Sequence, residues 1–213
     1  MIEIRHRESG DVLQRVDADS LEGLVLSGMK LAGADLSGMN LSGADLRNSD
    51  LRKANFTGAI VQRTNFFEAS LGGAVFDRVD ATKANFTEAV LEGARAHEGN
   101  FTGAVFRYAK LSQSDFTGSK LSGADLSVCD VRCNLTRADL YAADLRGSKL
   151  MGANLTKADL TRANFDGANL MGADLTEAKF LPEQFYNARA TGVIGRGRDR
   201  TKSDKRPWWQ FWG

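Results

Sequence analysis

Three consecutive segments, Ala34-Asp35-Leu36-Ser37-Gly38, Met39-Asn40-Leu41-Ser42-Gly43 and Ala44-Asp45-Leu46-Arg47-Asn48, place a leucine at every fifth position. The same spacing of Leu or Phe continues from about Leu26 to Phe180, and a small residue usually stands two positions earlier. Self-similarity of this length decides the fold before any local propensity does. We expect the large residues to form the core, among them Leu31, Leu36, Phe56, Phe76, Phe86, Phe101, Phe106, Leu111, Leu121 and Leu155.

A period of five matches neither the 3.6 residues of a helical turn nor the alternation of a strand. It matches a square coil in which each pentapeptide forms one side and one corner. The large residue, here termed the centre of its repeat, and the small residue two before it point inward. Four sides give a coil of twenty residues that stacks on the next at roughly 4.8 Å. Residues 26–180 then form about eight coils.

Two irregularities interrupt the pattern. Ala81 and Ala96 are small centres in a region rich in Phe, so we expect Phe76, Phe86, Phe101 and Phe106 to lean into the space, with a small buried cavity as the alternative. The step from Val131 to Leu135 is four residues rather than five, which is expected to tighten or bulge one corner.

The repeat resembles the pentapeptide-repeat family. The family consensus is legible in Ala34-Asp35-Leu36-Ser37-Gly38, in Ala54-Asn55-Phe56-Thr57-Gly58 and in Ala124-Asp125-Leu126-Ser127. The resemblance covers about three quarters of the chain and implies an all-β solenoid, a right-handed quadrilateral β-helix. It implies no single activity, because the functions of the family are diverse.

The flanking segments have different patterns. Ile2 to Arg7 and Val12 to Val16 alternate apolar and polar positions around Glu8-Ser9-Gly10-Asp11, which predicts a β-hairpin within residues 1–25 that caps the first coil. Pro182 followed by Glu183 suits a helix start, so residues 181–195 are predicted to form a short helical cap. Residues 196–213 are basic and end in aromatic residues, and we expect them to be disordered.

The C-terminal tail holds all three tryptophans of the chain. Large apolar rings that a terminus does not bury by itself favour docking, and three sites compete: a pocket of a partner protein, an anionic membrane surface, or the rod itself. We favour the partner pocket, because five residues are too few for a sustained amphipathic face. The predicted anchors are Arg206, Trp208, Trp209, Phe211 and Trp212.

Residues that support catalysis or metal binding are sparse. His6 and His97 are the only histidines and have no nucleophile or metal-ligand spacing, so we interpret both as solvated side chains. Cys129 and Cys133 occupy small inward positions and replace alanine. The sequence therefore predicts no catalytic residue, no cofactor and no metal site.

Charge distinguishes two functional hypotheses. Residues 26–185 carry 18 Lys and Arg against 19 Asp and Glu, far from the charge density of a DNA duplex. The side that starts at Leu31 carries Lys30, Arg52, Lys53, Lys110, Arg132 and Lys149 against Asp50, Glu92 and Asp130. The side that starts at Leu46 carries Asp45, Glu68, Glu88, Asp125, Asp144 and Asp166 against Arg47, Arg107 and Arg146.

We therefore expect a non-catalytic scaffold for protein–protein interaction, with nucleic acid an unfavoured partner. The alternative, taken from the family resemblance, is a DNA mimic that binds gyrase or another type II topoisomerase and protects it from inhibitors. The N-terminal residues contain no apolar stretch typical of a signal peptide, and no segment approaches a membrane span, so the sequence favours the cytoplasm.

Overall fold

The computed structural model describes residues 1–195 of the 213-residue chain. Parallel backbone bridges join the residue directly before a centre to the residue at the same position of the next coil, from Val25↔Asp45 to Asp174↔Ile194. Each level is held by paired hydrogen bonds: the Leu36 N–H donates to the Asn55 carbonyl at 2.8 Å, and the Asn55 N–H donates to the Ala34 carbonyl at 2.8 Å. The offset of twenty residues means that the coil has four sides. We name them by their first centres as the Leu31, Leu36, Leu41 and Leu46 sides.

The centres fill the interior of the coil. The ten core residues predicted above are at most 2% exposed: Leu31, Leu36, Phe56, Phe76, Phe86, Phe101, Phe106, Leu111, Leu121 and Leu155. Polar residues at small inward positions bond to backbone carbonyls. Ser49 Oγ donates to the Leu26 carbonyl at 3.0 Å, and Thr64 Oγ1 donates to the Leu41 carbonyl at 2.7 Å. These hydroxyls therefore carry no unpaired-group penalty.

The phenylalanines in the middle of the rod form two stacked columns, one on the Leu46 side and one on the Leu36 side, and a single ring from the Leu41 side fills a gap in the second column. Phe66 and Phe106 each stack on Phe86 at 4.8 Å, within 5° of parallel. On the Leu36 side the Phe56–Phe76 stack is followed by the small centre Ala96 and then by Phe116. Phe101 belongs to the Leu41 side but lies 6.4 Å from Phe76 and 5.3 Å from Phe116.

Of the four rings expected to lean toward the alanines, only Phe101 departs from stacking, because the neighbouring centres of its own side are Ala81 and Leu121 rather than rings. Gly99, which has no side chain, leaves room for the tilted ring. A Cβ at Gly99 would lie 2.6 Å from Phe101 Cε2.

The corners place the second residue after each centre in the left-handed region. Glycine occupies many of these positions, as at Gly38, where φ is 66°. Sixteen non-glycine residues of the described chain also have positive φ. Val128 is the least suited of them, since a β-branched residue at φ 56° is strained. The ladder on both sides of such a corner imposes this conformation.

The Asp or Asn before each centre closes the next turn. Asp35 Oδ1 accepts from the Ser37 N–H at 3.1 Å and from Ser37 Oγ at 2.7 Å. The same contacts recur at Asn55 with Thr57. This Asx turn is the physical reason for the acidic or amide residue in the consensus.

The step of four tightens a corner without breaking the coil. The Cys133 N–H donates to the Val131 carbonyl at 2.8 Å, two residues back instead of the usual three. The two residues of each parallel bridge stand nineteen positions apart from Asp115↔Asn134 to Asp130↔Lys149, and twenty positions apart again at Asn134↔Asn154.

An antiparallel hairpin lies at the N-terminal end. Strands β1 (Ile2–His6) and β2 (Val12–Val16) pair with each other, and β1 also pairs with β3 (Ala34–Asp35) in the order β2-β1-β3. The Arg7 N–H donates to the Gly33 carbonyl at 2.8 Å, and Ile4 is fully buried. The hairpin thus occupies the backbone edge of an early coil.

The C-terminal segment contains a short helix at the predicted start, Pro182, in the form of one 3-10 turn. The only helical element in residues 1–195 is a 3-10 helix, Pro182–Phe185, and the bridges Asn169↔Arg189 and Asp174↔Ile194 continue the ladder beyond residue 180. Phe185 stacks on Phe165 at 4.8 Å, so it is the next centre of the Leu46 side. The coils therefore continue past the predicted boundary at residue 180, and the short helix lies within the last of them.

Candidate interaction surface

The last coils of the Leu31 side present an apolar and basic surface. We define the methionine face as Lys149, Met151, Asn169, Met171 and Arg189. Met151 and Met171 follow the centres of consecutive coils and are 39% and 44% exposed. The Gly152 N–H donates to the Met171 carbonyl at 3.0 Å, so the two methionines occupy neighbouring levels. Methionine suits a binding surface because its unbranched side chain adapts to different partners.

Both edges of the methionine face are lined by glycines. Gly147 and Gly167 form the corner toward the Leu46 side, while Gly152, Gly172 and Gly192 form the corner toward the Leu36 side. A Cβ added at Gly152 or Gly172 would meet no atom within 4 Å. No side chain rises at the corners beside Met151 and Met171, so a flat partner surface has direct access to the methionines; at the level of Arg189 the corner residue is Asn187.

The charges around the methionine face are of one sign. Lys149 and Arg189 are exposed, and from residue 149 to residue 192 the outward positions of this side contain no acid. One coil earlier, Asp130 is bound by Arg132 through two contacts of 2.7 and 2.6 Å. The hydrogen bonds from Arg132 lower the pKa of the Asp130 carboxyl, which stays ionised and compensates that arginine. Asp130 also attracts Lys149, so one carboxylate faces two cations and the net charge here is positive.

Ion pairs within single repeats reduce the acidity of the Leu46 side. Arg47 binds Asp45 at 2.7 Å and Arg146 binds Asp144 at 2.5 Å, in each case across two positions of one repeat. Hydrogen bonds from these arginines lower the pKa of both carboxyls. Arg107 and Asp125 lie 3.9 Å apart. The sequence placed these groups on one side correctly, but half of its six acids have a basic partner.

The remaining candidate residues have structural surroundings. The His97 side chain is partly exposed, and its Nε2 lies 3.0 Å from Asp115 Oδ2 without forming a well-oriented hydrogen bond. His6 Nδ1 lies near the backbone N–H groups of Glu8 and Ser9, at 3.3 and 3.2 Å.

Both cysteines are buried. Desolvation raises the pKa of the Cys133 thiol to about 12 and raises that of Cys129 well above its usual value. Neither thiol is ionised near neutral pH, which removes the reactive form.

An open groove of about 470 Å³ lies along the Leu41 side. Its charged lining is largely paired: Lys179 binds Asp159 at 3.1 Å and Lys157 binds Glu177 at 3.6 Å. Ser122 Oγ donates to Asp139 at 2.6 Å. The groove thus presents mixed, compensated charge.

Residues 1–195 contain neither a cluster of metal ligands nor a helix suited to cross a membrane. No group of three His, Cys, Asp or Glu side chains there is arranged to hold a metal ion. Within the same residues, no helix combines the length and the apolarity that a membrane crossing requires. The predicted tail anchors Arg206, Trp208, Trp209, Phe211 and Trp212 lie outside the described part of the chain.

Comparison with known proteins gives the family. A model of pentapeptide repeats matches eight copies, in the ranges 20–58, 59–95, 100–132, 121–156, 133–170 and 153–181. The chain belongs to the pentapeptide-repeat family. No curated protein matches this pentapeptide-repeat chain in sequence.

Two solved pentapeptide-repeat structures resemble the rod. HetL, involved in heterocyst differentiation regulation in the cyanobacterium Nostoc sp. strain PCC 7120, is 28% identical, with a TM-score of 0.55, and the match covers 83% of this chain and 87% of HetL. QnrB1, a plasmid-mediated fluoroquinolone resistance protein, is 22% identical, with a TM-score of 0.58, and the match covers 80% of this chain and 88% of QnrB1. The likeness to QnrB1 is one of fold.

Proposed function

We propose that this pentapeptide-repeat protein is a non-catalytic scaffold that binds a partner protein through the methionine face, in the cytoplasm. The observation that carries the proposal is the coincidence of Met151 and Met171 with glycine corners and net positive charge. Two exposed methionines on a flat surface supply apolar contact, and Lys149 and Arg189 select an acidic border around it. The partner then presents an apolar patch with acidic neighbours. The two unbonded cysteines suit a reducing compartment.

A cross-linking experiment followed by binding measurements tests this surface. A photo-reactive residue at Met151, expressed in the native host, should capture a protein that the same residue at Thr161, on the opposite side of the same coil, does not. With the purified partner, Met151→Glu with Met171→Glu should weaken binding by about tenfold or more, equivalent to about 1.4 kcal/mol. Tyr141→Glu with Thr161→Glu is the matched control, since these residues follow the centres of consecutive coils on the opposite side. Equal loss in both double variants would refute the proposal.

The second candidate remains a protein that binds a type II topoisomerase and protects it from inhibitors. The acid excess of the Leu46 side supports it, with Glu68, Glu88 and Asp166 adding to the paired acids. The pairing of Asp45 and Asp144 with arginines argues against a duplex-like charge density. A supercoiling assay with gyrase and a quinolone separates the two functions. Inhibition or protection at micromolar protein, lost in Glu68→Gln with Glu88→Gln, would favour the topoisomerase function.

A further inference from the structure

The five methionines of the protein fall into two groups by burial. Met29 and Met39 occupy small inward positions of the first coils and are partly buried against the core. Met151 and Met171 are exposed on the methionine face, and Met1 is exposed at the start of the hairpin. The thioethers of the rod that a solute reaches most readily are therefore those of Met151 and Met171.

The glycine corners leave this pair of methionines open to a small reagent. At Gly152 and Gly172 an added Cβ would meet no atom of the described chain within 4 Å, so no described group packs over these corners. Met151 and Met171 follow the centres of consecutive coils, and the Gly152 N–H donates to the Met171 carbonyl at 3.0 Å. A solute that approaches one methionine along this edge has the same route to the other.

The two cysteines do not compete for an oxidant. A cysteine reacts with peroxide as the thiolate, and its oxidation also requires access. Cys129 is fully buried, its Sγ donates to the Ala109 carbonyl at 3.1 Å, and Cys133 is 6% exposed. Burial raises the pKa of both thiols, to about 12 at Cys133, so the thiolate is scarce at neutral pH. In the described rod the accessible sulfur is therefore that of methionine.

We propose that Met151 and Met171 form a reversible oxidation site, at which a peroxide converts both thioethers to sulfoxides and so releases the bound partner. In each reaction the O–O bond of the peroxide breaks, one oxygen forms an S–O bond, the sulfur loses two electrons, and water leaves. The sulfoxide is polar and chiral, so it weakens apolar contact at a surface built on methionine.

The reverse reaction restores the surface. A methionine sulfoxide reductase removes the oxygen as water while two thiols are oxidised to a disulfide. The oxidation site stands on the burial of the sulfur atoms alone, whereas release of the partner rests on the proposed function.

Peptide mass spectrometry of the full-length protein after treatment with hydrogen peroxide tests the site without a partner. Met151 and Met171 should be oxidised at rates similar to that of exposed Met1 and several-fold faster than Met29 and Met39. Both cysteines should still react with an alkylating reagent after later denaturation. In urea all five methionines should react alike, and circular dichroism confirms that the oxidised protein is folded. Equal rates at all five methionines in the folded protein, or loss of the thiols first, would overturn the proposal.

Binding measurements with the partner captured at Met151 test the release. The oxidised protein should bind about tenfold more weakly or worse, and methionine sulfoxide reductases with dithiothreitol should restore binding. Met151→Leu with Met171→Leu is the matched variant, because it keeps an apolar surface but lacks the oxidisable sulfur. It should bind the partner and be insensitive to the same dose of peroxide, although its Met1 is still oxidised.

The remaining outcomes separate this inference from the proposed function. Peroxide sensitivity that persists in the leucine variant, or unchanged binding after both methionines are oxidised, would overturn the release while the methionine face remains a binding surface. Selective oxidation of Met151 and Met171 with no captured partner would support the oxidation site and would overturn both the release and the proposed function.

Discussion

Exchange of the side chains at positions 96 and 101 tests how the interior is packed. The Phe101 ring lies between Phe76 and Phe116, in the space that the small centre Ala96 leaves. Phe101→Ala should cost about 3–5 kcal/mol, since it removes a fully buried ring. Ala96→Phe should cost about 1–3 kcal/mol, because the incoming ring meets Phe101. In the double variant the new ring at position 96 occupies the vacated space and completes the stack of its own side.

The double variant is therefore expected to lose about 2 kcal/mol or less, rather than the sum of the two single losses. Urea unfolding followed by circular dichroism measures each midpoint, with the slope checked because repeat arrays depart from two-state behaviour. Phe66→Ala combined with Ala96→Phe is the control and should be additive, since Phe66 stacks in the other column. Additive losses for the Ala96 and Phe101 pair would show that the two positions do not share one space.

Three further perturbations have expected outcomes. Val128→Gly should raise the unfolding free energy by roughly 0.5–1 kcal/mol in thermal or urea melts, as relief of left-handed strain exceeds the entropy cost of glycine, while Val128→Ala should bring little gain. Gly33→Ala should cost roughly 1–3 kcal/mol because the added Cβ meets the His6 ring, and His6→Ala should restore part of the loss in the double variant. The pKa of the Asp130 carboxyl is lower in the folded state than in the unfolded state. The stability that this carboxylate contributes is therefore present above the unfolded pKa of about 3.9 and is lost as the pH falls through the folded pKa. Asp130→Asn should flatten this part of an acid titration followed by circular dichroism.

Period and residue size were sufficient to predict the inward positions. Leu36 and Phe56 stand twenty positions apart, and in the structure they lie on the same side at neighbouring levels, because identical residues stack when every coil has the same length. The location of the tightened corner also followed from counting, since only the segment Val131–Leu135 lacks a residue. Which backbone contact closes that corner depends on local geometry that counting does not contain.

The C-terminal boundary and the candidate surface were harder to predict. Pro182 and Glu183 are unusual in a pentapeptide, and the helix start that they indicated is present as the 3-10 helix Pro182–Phe185. The local signals did not show that packing of Phe185 on Phe165 keeps this segment within the coil. Met151 and Met171 gave a usable signal, because two methionines directly after centres and twenty residues apart must share a side. The glycine corners that flank them on both edges become apparent only when the four sides are assembled.

The short corner between Val131 and Leu135 has a consequence for how such a rod changes length. The loss of one residue shortens the spacing of bridged residues to nineteen for a single coil, and the next coil has a spacing of twenty again. Each coil contacts only its neighbours, so an error in length is not transmitted along the axis. Insertion or deletion of a complete twenty-residue coil between two glycine corners should preserve the orientation of every remaining side. The distance between surfaces at the two ends can then change in discrete increments of roughly 4.8 Å, which allows the rod to act as an adjustable spacer in evolution or in design.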